Sequence, residues 1–170
     1  MRFTRTFKTA LSSAAVGFLA LGLTSTSAFA SNNANTTFNV TATVVTACTV
    51  SATAMSFGTV VPSTTLATYP TQSSISVNCS TGDVYTIALT AGGGTGAIET
   101  SRFMMNGANK LAYALFNDSL RTVNWGTAAG TVSGTGTGAA VPYTVYGQIS
   151  AQTVPVNGAY SDTITVNVTY

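Results

Sequence analysis

Apolar and polar side chains alternate over residues 37–50, which read TFNVTATVVTACTV. Side chains of an extended strand point to opposite faces at every second residue, so this pattern predicts a strand with one apolar and one polar face. The residues on the apolar face are Phe38, Val40, Ala42 and Val44. Such a strand needs a partner sheet, and the pattern leaves open whether that sheet belongs to its own chain or to another.

The same alternation returns over residues 160–170, which read YSDTITVNVTY. Threonine and asparagine separate its apolar members, which are Ile164, Val166, Val168 and Tyr170. This is the strongest strand pattern in the chain. An amphipathic strand with an open edge is prone to pair with other chains unless something covers it.

Between these two stretches, short segments rich in Val, Ile, Thr and Tyr are separated by clusters of Gly, Ser, Asn and Pro, as in an all-β sandwich or barrel. The predicted strands are residues 48–57, 74–79, 84–90, 102–105, 110–117 and 141–150. Residues 110–117 are apolar on both faces, which predicts a central place in a sheet. Residues 126–140 contain five glycines, which predicts an exposed, mobile loop.

Residues 1–30 have the pattern of a secretion signal. Three basic residues precede an uncharged apolar run, and an A-x-A cleavage site closes the stretch at residues 28–30. Serines and a glycine interrupt the run, whereas a membrane span needs about 20 continuous apolar residues. We therefore expect residues 1–30 to be a signal peptide and the mature protein to be exported.

Removal of the predicted signal peptide changes the charge balance of the chain. Three of the six Lys and Arg residues lie in residues 1–30, which leaves three basic residues against four acidic ones. A nearly neutral chain has no electrostatic basis for binding nucleic acid or an anionic membrane surface. Low charge in an exported protein suits a chain that ends up packed in an assembly. The mature chain, about 140 residues, fits one domain.

Candidate chemistry is sparse. The two cysteines, Cys48 and Cys79, favour one intramolecular disulfide in an exported protein. The sequence contains no histidine, which is the usual general base and a common metal ligand. The four acids are isolated from one another, and no nucleophile or phosphate-binding motif is present. We therefore expect no catalytic residues, metal or cofactor, and we interpret Trp125 as core packing rather than as a sugar platform.

Four motifs follow one another along the mature chain. An alternating strand runs into T-x-C-T-V at the first cysteine, Phe57 and Gly58 follow, and an I-S-V-x-C segment contains the second cysteine. The fourth motif is G-x-Y-x-D-T-I-T-V-x-V-x-Y at residues 158–170. In this order and spacing the motifs resemble the spore coat protein U family, which includes the pilin subunits of archaic chaperone-usher pili.

The resemblance implies an incomplete immunoglobulin-like sandwich that is completed by a donor strand from a neighbouring subunit. It implies a donor segment at residues 31–46 and a pilin domain at residues 47–170, with a disulfide between Cys48 and Cys79. The implied donor residues are Phe38, Val40, Ala42 and Val44. The implied acceptor-groove strand contains Ile164, Val166, Val168 and Tyr170. Ala42 departs from the pattern, because a larger apolar residue would fill a pocket better.

The implied function is that of a structural subunit of a surface pilus or fimbria, assembled by the chaperone-usher pathway and supporting adhesion or biofilm formation. The implied partners are identical or related pilin subunits, a periplasmic chaperone and an outer-membrane usher. The subunit would pass through the periplasm to the cell surface.

Two alternatives remain open from the sequence. The first is a self-contained secreted β-sandwich that binds carbohydrate and uses its own N-terminal strand to complete the fold. The second is a small outer-membrane β-barrel. Barrels have aromatic girdles and a polar interior, whereas the predicted interior faces of this chain are apolar, which favours the pilin.

Overall fold

The computed structural model describes residues 32–60, 68–153 and 155–170, and the predicted signal peptide lies outside these residues. The chain divides into two units, Met1–Thr41 and Ala42–Tyr170. Residues 32–41 of the first unit are exposed and form no strand. The described residues of the second unit form eight β-strands and no helix. The strands are β1 (Cys48–Ala52), β2 (Tyr69–Cys79), β3 (Val84–Leu89), β4 (Arg102–Asn106), β5 (Asn109–Phe116), β6 (Val132–Thr135), β7 (Val141–Ile149) and β8 (Val166–Thr169).

The strands form two sheets in the described part of the chain. One has five strands in the order β1-β2-β7-β5-β4, and the other has three in the order β6-β3-β8. All the strand pairs are antiparallel. The predicted central strand, β5, does lie between two neighbours, β7 and β4. The chain is therefore all-β, as its composition predicts.

The core lies where the inward faces of the two sheets meet. It is built from alternate residues of β2, β3, β5 and β7, which are buried because the strand period puts every second side chain on the inner face. Trp125 joins this core with 1% of its surface exposed, and its indole N–H donates a 3.0 Å hydrogen bond to the carbonyl of Ile87. The interpretation of Trp125 as core packing is confirmed, and Trp125 offers no exposed platform for a sugar.

The prediction that residues 126–140 form an exposed loop is wrong for residues 132–135. These form β6, which pairs with β3 from Val84↔Thr135 to Ile87↔Val132. A side chain at Gly134 would collide with the Tyr143 hydroxyl and with the phenol group of Tyr85. The two tyrosine hydroxyls are 2.7 Å apart. Glycine is thus required by close approach, and a composition that is typical of flexible loops forms part of a sheet.

The two terminal segments are less regular than their alternation predicts. Residues 37–47, all of which the structure describes, form no strand, and regular pairing begins only at Cys48. In the segment 160–170, only Val166–Thr169 is a strand. The reason is a change of partner: Ser161 pairs with Met105 of β4, whereas β8 pairs with β3 of the other sheet. The segment crosses between the sheets instead of lying along one of them.

Arg102, at the start of β4, is buried although arginine is among the least buried residue types. Its guanidinium donates hydrogen bonds to four backbone carbonyls, those of Leu89, Thr90, Glu99 and Trp125. Burial lowers the pKa of Arg102 from its ordinary value, and the neighbouring Tyr113, Glu99 and Asp162 oppose this shift. Sequence reasoning missed this residue, since an arginine that begins a strand usually faces solvent.

Candidate functional site: an open groove between the sheets

The two sheets leave an open groove along one side of the sandwich. In the described residues, β1 pairs with β2 alone and β8 pairs with β3 alone. Each of the two strands therefore has one unpaired edge. The groove has residues 48–60 on one wall and residues 155–170 on the other. An unpaired edge on each wall is the arrangement that can accept an added strand by main-chain hydrogen bonds.

Cavities of about 540, 410 and 490 Å³ follow one another along the groove. The first lies between residues 48–50 and 166–170, and the last lies between residues 55–60 and 155–160. The middle cavity has an apolar and aromatic base, which is formed by Leu89, Met104, Tyr113, Leu115 and Val145. Neighbouring cavities share lining residues, so the groove is continuous.

The predicted acceptor residues do lie along one wall. Ile164, Val166 and Val168 are half-buried and pack against the core, while Tyr170 is 58% exposed. The first two line the middle cavity, and the cavity between β1 and β8 is lined by Val166, Val168 and Tyr170. Their assignment to an acceptor groove stays a prediction, since it depends on a second copy of the chain.

Sequence reasoning missed the opposite wall. Val50, Met55 and Phe57 line the groove from the β1 side, and the Phe57 ring packs edge-on against Tyr113 with 6.0 Å between the ring centroids. Their spacing within CTVSATAMSF predicts a strand but does not say that its edge faces an open space. That fact depends on the sheet order, which the sequence does not show.

A disulfide fastens this wall to the rest of the domain. Cys48 and Cys79 are bonded to each other, as predicted, and they stand opposite each other where β1 and β2 pair. The pairing continues one residue further, because the carbonyl of Ala47 accepts a 3.0 Å hydrogen bond from the Ser80 amide. The Ala47 amide in turn donates to the Ser80 hydroxyl at 3.1 Å. Ala47 is thus tied to Ser80 by two hydrogen bonds.

One charged side chain interrupts the apolar lining. Asp162 belongs to the middle cavity, where its carboxylate accepts hydrogen bonds from the Tyr113 hydroxyl at 2.6 Å and the Gly93 amide at 2.8 Å. It also accepts a 2.7 Å bond from the Thr163 amide. Burial raises the pKa of the Tyr113 hydroxyl, and the hydrogen bond to Asp162 raises it further. Tyr113 is therefore a fixed donor that holds the carboxylate at the groove.

The predicted donor residues are exposed. Phe38 is 84% exposed, Val40 is 82% exposed and Val44 is 94% exposed, and Ala42 is also exposed. Exposure of these large apolar side chains to water is unfavourable, because burying each of them would stabilise the protein by about 1.5–3 kcal/mol. The structure gives them no strand partner within the described residues, so their role as donors stays a prediction.

No group of three or more His, Cys, Asp or Glu side chains in residues 32–60, 68–153 and 155–170 could hold a metal ion. The same described ranges contain no helix of the length and apolarity needed to span a membrane.

An all-β sandwich with a groove of this kind is the fold of chaperone-usher pilins, and comparison with known proteins agrees. The model of the spore coat protein U domain family matches residues 34–167. The chain belongs to this family, which confirms the resemblance drawn from the motifs.

Two known proteins are similar to this chain over part of their length. It is 36% identical over 106 residues to Protein U of Myxococcus xanthus, a match that covers 57% of this chain and 58% of that protein. It also resembles a chain in the crystal structure of the CsuC-CsuE chaperone-tip adhesion subunit pre-assembly complex from archaic chaperone-usher Csu pili of Acinetobacter baumannii. That match has a TM-score of 0.58 and 28% identity and covers 75% of this chain. The chain spans 58% and 40% of the lengths of these two relatives.

Proposed function

We propose that this protein is a structural subunit of a surface pilus of the chaperone-usher type, polymerised by donor-strand complementation. In this proposal, residues 37–45 of one copy lie in the groove of the next copy. The proposal rests on one observation: the same chain has a groove with two unpaired strand edges and an exposed alternating segment that has no strand partner in the described residues. Similarity to a pilus subunit complex supports it.

The segment and the groove are complementary in chemistry and length. Nine residues in extended conformation span about 30 Å, and the wall at residues 160–170 offers eleven residues beside which they can lie. Burying Phe38, Val40 and Val44 would stabilise the contact by roughly 5–9 kcal/mol, before the cost of ordering the segment. Each added ladder hydrogen bond contributes about 0.5–1.5 kcal/mol more.

The hydrogen bonds at Ala47 favour insertion into a second copy over insertion into the same copy. A return into its own groove would need a tight reversal at Thr46 and Ala47. Tight hairpins use residues with positive φ, mainly Asn, Asp and Gly. Ala47 is instead hydrogen-bonded to Ser80, and among the described non-glycine residues only Arg121 has a positive φ. A head-to-tail contact that does not close on itself generates a filament.

The open groove also accounts for the proposed partners before assembly. Unpaired edges and apolar cavities promote aggregation unless another chain covers them. A periplasmic chaperone would fill this role, and the similar Csu chain comes from a complex of a chaperone with a tip adhesion subunit. We further propose that an outer-membrane usher assembles the subunits, that residues 31–46 are the donor segment and 47–170 the pilin domain, and that the assembled fimbrium supports adhesion or biofilm formation at the cell surface.

The proposal is tested by comparing the full chain with a variant that lacks residues 32–45. Both are expressed with a chaperone and usher, and surface material is analysed by electron microscopy and on gels without boiling. We expect fibres and a ladder of multimers from the full chain alone. The variant should still be exported and should retain its Cys48–Cys79 disulfide, which serves as the folding control. A stable, chaperone-free monomer of the full chain would support the self-contained sandwich instead.

A further inference from the structure

We propose that Asp162 sets the register of the inserted strand: Ala42 of the incoming copy lies opposite Asp162, and the strand is antiparallel to residues 160–170. This inference rests on the proposed function. It assigns a role to the one donor residue that is too small to fill an apolar pocket, and it identifies a positioning residue in the groove.

Asp162 lies on the groove side of its wall. The half-buried positions alternate along the segment, and Asp162 belongs to the same inward-facing set as Ile164 and Val166. Among the described residues that line the three cavities, Asp162 has the only charged side chain. Its place is fixed by hydrogen bonds from Tyr113, Gly93 and Thr163, so the carboxylate cannot swing away when a strand enters.

A carboxylate at this point discriminates between donor side chains by their size. Its two oxygens offer about four acceptor sites, of which three are used, so water must reach the remaining one. A branched apolar side chain pressed against the carboxylate would remove that water and leave a buried charge poorly solvated. Alanine is short enough to leave the water in place. Of the four apolar donor residues, only Ala42 fits opposite Asp162.

The size of Phe38, the largest donor residue, then determines the direction of the inserted strand relative to residues 160–170. In the antiparallel orientation, Phe38 lies opposite Val166 at the middle cavity, Val40 lies opposite Ile164, and Val44 lies opposite Tyr160. In the parallel orientation, Phe38 would lie opposite Gly158, and the cavity beside Val166 would receive Thr46. The antiparallel arrangement therefore places the aromatic ring in a space of about 410 Å³ with an apolar base, and it matches the direction of the described strand pairs.

Neighbouring antiparallel registers are less favourable. A shift of two residues in either direction puts Val40 or Val44 opposite Asp162. A larger shift puts Thr46 there, but it moves Phe38 to the open end of the groove beside Tyr170. Thr46 is also adjacent to Ala47, which is hydrogen-bonded to Ser80 of its own domain. These hydrogen bonds limit how far the segment can enter the groove of another copy.

Cysteine cross-linking between copies tests the register with exposed residues only. In the proposed register, Thr41 lies directly opposite Thr163 on the outer face. The test variant is Thr41→Cys with Thr163→Cys in the full chain. The matched control variants pair Thr41→Cys with Ser161→Cys or with Thr165→Cys, which correspond to shifts of two residues. All four positions are exposed. Ser161 and Thr163 border the middle cavity, but they alternate with the half-buried positions, so the substitutions leave the core and the inward-facing residues of the groove unchanged.

Fibres from each variant are oxidised and analysed on non-reducing gels. Directly opposite residues have Cβ atoms about 4.5–5.5 Å apart and diagonal ones about 7–8 Å, so we expect roughly tenfold more cross-linked multimer from the Thr163 pair than from either control. Preferential cross-linking of a control pair, or normal fibres with no cross-link in any variant, would overturn the register while leaving the proposed function intact. If the unsubstituted chain forms no fibres, the proposed function fails, and this inference fails with it.

Discussion

The segments 37–45 and 160–170 have nearly the same pattern of apolar and polar residues but differ in their structural state. In the second segment, β8 pairs with β3, and Ile164, Val166 and Val168 pack against the core. The first segment forms no strand and exposes its apolar residues. Alternation thus defines which face of a segment is apolar, whereas an available sheet edge decides whether the segment becomes a strand. In the proposed fibre, a second copy of the chain supplies the edge that the first segment lacks.

The largest expected effect is on the exposed segment. Val40→Asp places a carboxylate on the face that enters the groove, where burial of an unpaired charge is strongly unfavourable. We expect polymerisation to be abolished, with at least about a hundredfold loss of fibre, since burial of such a charge costs several kcal/mol. Fibre yield from cells is measured by quantitative gel analysis and electron microscopy.

Thr41→Asp is the matched control for Val40→Asp, since it introduces the same charge on the outward face of the same segment. It should assemble almost as well as the unsubstituted chain. Export and the Cys48–Cys79 disulfide should persist in both variants, because the segment lies outside the core. Normal fibres from Val40→Asp would contradict the assignment of residues 37–45 as the donor strand.

The sequence predicts most of the strands because their signal is local. The alternation in residues 84–90 and the doubly apolar pattern in residues 110–117 each depend on side chains within one segment, and both segments form the expected strands, β3 and β5. Residues 132–135 escape prediction because a strand of Val, Ser, Gly and Thr is specified by its neighbours. Gly134 is needed only because Tyr85 and Tyr143 stand above it.

Only one of the two walls of the candidate groove could be predicted from the sequence. The wall containing Ile164 and Val168 has a strong periodic pattern, which identifies it from the sequence. The opposite wall is defined by the order of strands in the five-stranded sheet, where β1 is at the edge. The sequence presents Asp162 only as an isolated acid, because its hydrogen bonds come from Tyr113 and Gly93, which are distant in sequence.

The next largest effect concerns the wall formed by β1. Replacing both cysteines, Cys48→Ser with Cys79→Ser, removes the bond that closes a loop of 31 residues. The unpolymerised subunit should lose roughly 3–4 kcal/mol of unfolding free energy, on the view that a disulfide restricts the unfolded chain. Urea unfolding of the purified subunit measures this, at a dilution low enough to prevent association between copies. Both residues are replaced together so that no free thiol confounds the result, and an unchanged midpoint would contradict the prediction.

Phe38→Ala should affect the fibre without affecting the subunit. The side chain is exposed in the single copy, so its removal should leave the unfolding free energy of the unpolymerised subunit unchanged. In the fibre, the contact between subunits should weaken by about 1.5–3 kcal/mol, the value of burying such a side chain. The temperature at which fibres dissociate measures the contact, with Asn39→Ala as the outward-facing control. Equal fibre stability for both variants would show that Phe38 is not buried on assembly.

Val168→Ala should produce the smallest effect, and it distinguishes the two segments most directly. Val168 already packs against the core of the single copy, and it also lines the groove. Its truncation should therefore lower the stability of both the single subunit and the fibre. We expect a loss of about 1 kcal/mol, since a half-buried side chain loses two methyl groups. Urea unfolding of the subunit and thermal dissociation of the fibre should change together, whereas Asn167→Ala, on the exposed face of the same strand, should change neither. A variant that weakens the fibre but leaves the subunit unaltered would mean that β8, like the exposed segment, becomes ordered only on assembly.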